Sequence, residues 1–199
     1  IFTGTNNFVS DTITSSRLNE YFGFTQAEVD QLLQDTGLTD HAEDIKAWYD
    51  GYHFGEFDIY CPWDVMNYLQ DLQFDPSKKP ISYWKNTSDN AIIRSFIDYS
   101  GPSISKKLEL LLSGGYIVQT IEEDLTYDYL HSSEDNLWSI LYLTGYLTRV
   151  REIPVSDGAL ALTIPNAEVK EIFRSTIQKW FKDSSQTWNR QAMFQALWA

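Results

Sequence analysis

The densest set of residues that could do chemistry is the run Trp48-Tyr49-Asp50-Gly51-Tyr52-His53-Phe54-Gly55, followed closely by Tyr60-Cys61-Pro62-Trp63. Aromatic rings with interleaved acids suit a sugar-stacking platform, and Asp50 with Asp58 or Asp64 would be the paired carboxylates of a divergent hydrolase. That chemistry needs two acids flanking one bond in an open cleft. The same residues also suit a small core, in which glycines let the backbone turn tightly around buried rings whose polar tips find partners. The sequence favours this second reading, and with it an interdomain or partner contact through Trp48, Tyr49, Asp50, Gly51, Tyr52, Tyr60, Trp63 and Trp84.

Other candidate chemistry is thinner. Asp157 followed by Glu168-Val169-Lys170 imitates the acid and Glu-x-Lys pattern of metal-dependent nucleases, in which two carboxylates hold Mg²⁺. That pattern belongs on a strand, whereas Pro165-Asn166 end one, and Val169, Ile172 and Phe173 give the next segment a helical apolar stripe. Glu168 and Lys170 are therefore expected on the surface of that helix. None of the ten glycines is followed by lysine, so the sequence has no Gly-Lys-Ser/Thr phosphate-binding loop. His41, His53 and His131 have no spacing that places two on one helical face, and no zinc site is expected. Cys61, the single cysteine, lacks the local signature of a nucleophile and excludes an intrachain disulfide. No catalytic residue, metal or cofactor is assigned to the chain.

The elements that would hold these residues can be read from periodicity and caps. Thr25 and Glu28 form a capping-box pair ahead of an apolar stripe at Val29, Leu32 and Leu33. A second helix is predicted over Ala42 to Tyr49, stopping at Gly51, and a third from Pro62 to about Leu72, with proline in the first turn. Phe57 to Tyr60 reads as a short extended piece. Asp75-Pro76-Ser77-Lys78-Lys79-Pro80 is rich in turn formers, and a subdomain break is placed there. Beyond it come helices at about Ser88 to Tyr99, Ile104 to Leu112 and Asn136 to Leu143, and strands at Tyr116 to Ile121, Leu147 to Ile153 and Leu160 to Ile164. A last helix is predicted over Ala167 to Phe181. The expected fold is mainly α with short β hairpins, an α+β chain. It has a helical subdomain over 1–75, including the trailing edge of a preceding core, and a helical and winged-helix-like half over 76–199.

With 199 residues, 43% of them hydrophobic, the chain can bury one sizeable core or two small ones. No apolar run approaches the roughly 20 residues that span a bilayer, and a soluble, cytoplasmic protein is expected. The net charge of −13 argues against a general nucleic-acid-binding surface, which needs clustered Lys and Arg. The charge is uneven: residues 1–75 hold 2 basic and 14 acidic groups, whereas 76–107 hold 6 and 2. The first residue is not Met, and Gln191 to Ala199 reads as an unfinished helix, so both ends are expected to continue in a longer protein.

Six blocks in order carry a resemblance to a known family. They are Phe22-Gly23-Phe24-Thr25 with Glu28-Val29, Trp48-Tyr49-Asp50-Gly51-Tyr52, Ile59-Tyr60-Cys61-Pro62-Trp63, Tyr83-Trp84-Lys85-Asn86-Thr87-Ser88, Leu143-Thr144-Gly145-Tyr146-Leu147 and Ile164-Pro165-Asn166-Ala167-Glu168-Val169. Together they resemble the bacterial AAA-ATPase-like proteins that usually carry a PD-(D/E)XK nuclease domain at the C-terminus. The resemblance implies a P-loop core that binds ATP and Mg²⁺ mostly before Ile1, and a nuclease domain after Ala199. This chain would be the lid or linker between them, with those two domains as its partners, and nucleic acid would be a target of the parent protein only. The family usually has Asn at the position of Cys61, and its phosphate-binding motif matches no position here.

Overall fold

The computed structural model describes residues 13–15, 17–84, 102–123, 125, 133–156 and 158–179. The helix predicted at Ser88 to Tyr99, His131, Asp157 and the C-terminal segment beyond 179 lie outside them. Local signals explain most of what is seen. Thr25 caps helix α1 (Gln26–Thr36), and Glu28 returns its carboxylate to the Thr25 N–H at 2.8 Å, completing the capping box. Gly37 ends that helix with φ +71°, a left-handed geometry that glycine adopts without a Cβ penalty. Helix α2 (Ala42–Tyr49) follows, then the antiparallel hairpin β1 (Tyr52–Phe54) and β2 (Phe57–Ile59), then α3 (Pro62–Phe74), with Pro62 in its first turn.

The second half contains α4 (Pro102–Leu112), β3 (Ile117–Thr120), α5 (Glu134–Leu143), β4 (Thr148–Arg149) and β5 (Ala159–Thr163). A helix over residues 167–179, called α6 here, closes the described chain. The three strands form one antiparallel sheet in the order β3-β5-β4, with Ile117 opposite Leu162 and Arg149 sharing the same partner from the other side. The helices and short antiparallel strands make the chain as a whole α+β, as expected from the sequence.

Two apolar clusters form the interior. The first gathers Val29, Leu33, Ile45, Tyr49, Val65, Tyr68, Leu69 and Leu72 from α1, α2 and α3, with Tyr60 from the link between β2 and α3. The second is built on α5, whose residues 137–142 are all buried, with Leu108, Ile117, Leu162, Val169, Ile172 and Phe173 around them. Chain segments cross from one to the other: Tyr52 packs against the second cluster although it directly follows α2 of the first. Among the described residues no helix is long and apolar enough to cross a membrane.

Candidate functional site at the joint between the clusters

Where the clusters meet, the backbone passes so close to itself that only glycine fits. Gly51 has φ +98°, and a Cβ there would lie 2.3 Å from the Pro165 carbonyl oxygen. The next residue, Asn166, uses both ends of its amide. Its Nδ2 donates to the Asp50 carbonyl at 2.8 Å, while its Oδ1 accepts from the Val169 N–H at 3.0 Å and so caps α6. One buried side chain therefore starts a helix of the second half and fastens the link leaving α2.

Aromatic rings complete the joint. The Tyr52 ring stands 3.4 Å from where a Cβ on Gly145 would be, and the Trp84 ring 3.7 Å from it. Trp84 stacks on Tyr146 with centroids 5.4 Å apart, and Tyr146 meets Phe173 edge-on. Four of the six motif blocks thus converge here: 48–52, 83–84, 143–147 and 164–169.

Asp64, one residue beyond the Ile59 to Trp63 block and in the first turn of α3, completes an unexpected arrangement with Glu168, in the first turn of α6. Both are 0% exposed. Glu168 Oε1 accepts the Trp84 backbone N–H at 2.9 Å, whereas its Oε2 and both Asp64 oxygens have no partner at full hydrogen-bond geometry, and the nearby donors are the Ser82 hydroxyl beside Glu168 and the weak Cys61 thiol beside Asp64. Two ionised carboxylates cannot donate to each other, so a direct hydrogen bond between them requires a proton on one. Burial first, and the Asp64 charge second, hold the Glu168 carboxyl well above the ordinary range, and burial raises Asp64 too. The expectation that Glu168 lies on a helix surface is therefore corrected. Val169, Ile172 and Phe173 are buried as the apolar stripe predicts, yet Glu168 is buried beside them because Asn166 turns the start of α6 into the joint.

The other predicted site residues divide between interior and surface. Tyr49 and Tyr60 are fully enclosed, and Trp48, Asp50, Gly51, Tyr52 and Trp84 are partly buried. The Tyr49 hydroxyl donates to the Ile81 carbonyl at 3.0 Å and accepts from the Ile81 N–H at 3.3 Å. Tyr60 exchanges backbone hydrogen bonds with Phe24 at 2.8 and 3.1 Å and donates its hydroxyl to Gln26. Trp63 alone of the set is exposed, at 55%, beside Met66 at 49%. Asp50 carries one buried oxygen without a partner, and burial raises its carboxyl.

Asp58 is committed elsewhere. Its carboxylate accepts from Arg151 Nη1 at 2.8 Å and pairs with His53 Nδ1, while Arg151 Nη2 reaches the carbonyls of Gly55 and Phe57. The guanidinium so clamps the β1–β2 turn to the segment after β4. Burial pushes the Cys61 thiol up to about 12, which leaves little thiolate for nucleophilic work. Cys61 also lines an apolar cavity of about 240 Å³ with Tyr52, Phe54, Trp84, Leu143 and Leu147. Among the described residues no group of three or more His, Cys, Asp or Glu is placed to hold a metal ion.

No protein-family model matches the chain. No solved structure matches it either. The chain is 25% identical over 176 residues to an uncharacterized protein in the vnfD 5′ region of Azotobacter chroococcum mcd 1, a match covering 85% of this chain. It spans 30% of the length of that curated relative.

Proposed function

We propose that this chain is a non-catalytic coupling region of an ATPase-like protein of the cytoplasm, joining a P-loop core that binds ATP and Mg²⁺ to a nuclease-like domain. The observation that carries this reading is the convergence of the motif blocks on one internal joint. Within blocks 48–52, 83–84, 143–147 and 164–169, Asp50, Gly51, Tyr52, Trp84, Gly145, Tyr146, Pro165, Asn166 and Glu168 meet in hydrogen bonds, ring contacts and backbone approaches. Such residues hold two packed units in a fixed relation, and an effect on one unit is passed to the other only if the joint responds. The chain's 30% share of its relative's length fits a part that works with other domains.

Nucleic-acid binding by this region itself is disfavoured. In helix-turn-helix units a helix enters the major groove, but α5, ahead of the β4–β5 hairpin, is buried over 137–142 and opens with Glu134 and Asp135. A second reading, a module that binds a glycan or a protein through its aromatic block, rests on the exposure of Trp63 and Met66. Titration calorimetry with ATP and Mg²⁺ tests the first reading. Heat of binding with the longer parent protein and none with this chain is expected. Binding to this chain alone would overturn it. Adding ATP to the parent should also alter protease cleavage near the joint.

A further inference from the structure

We propose that Asp64 and Glu168 form a proton-operated clasp, closed while the two carboxyls share one proton and loosened when that proton leaves. The two acids belong to different halves of the molecule. Asp64 sits on α3 beside Val65 and Tyr68 of the first cluster, and Glu168 on α6 beside Val169 and Ile172 of the second. They meet with no solvent exposure, and three of their four oxygens have no partner at full hydrogen-bond geometry, with only the Ser82 hydroxyl and the weak Cys61 thiol beside them. In that setting one proton changes the sign of the interaction. With it, a carboxylic acid donates to a carboxylate across the joint; without it, two buried like charges face each other.

Among the described residues, the groups around the pair offer no compensating cation. Tyr49 comes from α2, Tyr52 from β1 and Cys61 from the turn ahead of α3, while Ser82, Tyr83 and the Trp84 N–H come from the segment after α3. These are hydroxyl, thiol and amide groups, and burial raises the phenols and the thiol, so they stay neutral through the range in which the clasp titrates. Among the described residues no Lys, Arg or His makes an ion pair with either carboxyl. Each acid lies in the first turn of its own helix, where the positive end of the helix dipole favours a negative charge. These dipoles are too weak to hold two such charges together in the absence of water.

Proton loss has one low-cost relief, which is to admit water by parting α6 from α3. The contacts that would go with it are those that cross the joint: Asn166 to Asp50, Trp84 to Glu168 and Gly51 on Pro165. The clasp is a property of this fold and does not depend on the coupling role proposed above.

The test compares the whole chain with its Glu168→Gln variant by small-angle scattering and urea unfolding at pH 6 and pH 9. Gln mimics the protonated acid and keeps the acceptor for the Trp84 N–H. The expected result is that the unmodified chain expands and loses part of its urea midpoint at pH 9, while Glu168→Gln is the same at both. An unmodified chain that does not change, or a variant that changes as much as it does, would overturn the clasp. If Glu168→Gln does not fold, Asp64→Asn serves instead. Removing the like charge should abolish the alkaline transition or move it to lower pH, and a transition left in place would overturn the proposal equally. Infrared spectroscopy adds a direct readout: a protonated carboxylic acid band at pH 6 that Glu168→Gln lacks.

Discussion

Gly51 and Pro165, 114 positions apart in the sequence, touch backbone to backbone, leaving 2.3 Å between the Pro165 carbonyl oxygen and the place of a Cβ on Gly51. The contact lies at the joint between the two clusters, so a single methyl group tests how tightly that joint is set.

Gly51→Ala should be strongly destabilising. It places a side chain at φ +98°, which costs about 1–3 kcal/mol, and it forces Pro165 away. The urea midpoint should fall by more than in Gly158→Ala, where φ is +79° but nothing lies within 4 Å. The difference between the two variants isolates the close approach from the dihedral.

Asn166→Ala removes two bonds made by one side chain. Loss of the cap costs about 1 kcal/mol, and leaving the Asp50 carbonyl without its donor adds about 1–3 kcal/mol. Asn166→Ser should recover the cap alone, because its hydroxyl can accept from Val169 but is too short to donate to Asp50. Equilibrium unfolding of the three proteins would therefore give a ladder with Ser between Asn and Ala.

Arg151→Ala should act locally. The ion pair with Asp58 is half open to solvent, and such pairs contribute at most about 1 kcal/mol. Global stability should change little. Hydrogen exchange at Phe54 to Phe57, whose turn carbonyls the guanidinium holds, should speed up, while exchange in α5 stays as it was.

Acid should weaken the first cluster through two carboxylates. Glu28 is held below its ordinary value chiefly by the Thr25 N–H, and Asp71 by Lys78 and then Tyr83. For a lowered acid the stabilisation is present above its unfolded value and is lost as pH falls through its folded one. Unfolding midpoints should therefore decline below the ordinary carboxylate range. Glu28→Gln should flatten part of that decline, measured by the helical circular dichroism signal.

Much of the frame was legible from local chemistry. The Thr25–Glu28 box, the start of α3 at Pro62, the extent of α2, and the strand at Ile117 each depend on a few neighbouring residues, so their signals survive without the fold. The predicted Leu147 to Ile153 strand proved to be two residues, Thr148 and Arg149, because after Val150, whose N–H still bonds the Ala161 carbonyl, Arg151 turns from the sheet to clamp the β1–β2 turn. Pairing of Tyr52 with Ile59 was missed, since Gly55-Glu56 is a weak turn signal beside the aromatic run. The joint was illegible for a different reason. Nothing within ten residues of Asp64 or Glu168 announces that the two meet, and a carboxylate in the first turn of an amphipathic helix ordinarily faces water. Asn166, three residues before a buried Val169, is the one local sign that the start of α6 is built to be enclosed.

The double hydrogen bond between the Tyr49 hydroxyl and Ile81 has a mechanical consequence. A backbone donor and acceptor that a sheet would normally satisfy are met by one side chain, and a second phenol, Tyr68, holds the Lys78 carbonyl a few residues earlier. The segment that leads from α3 to Trp84 is thus tacked down at separate points, with no strand ladder along it. A pull along this segment loads those tacks one after another, so it peels at low force where a sheet strand would resist in shear.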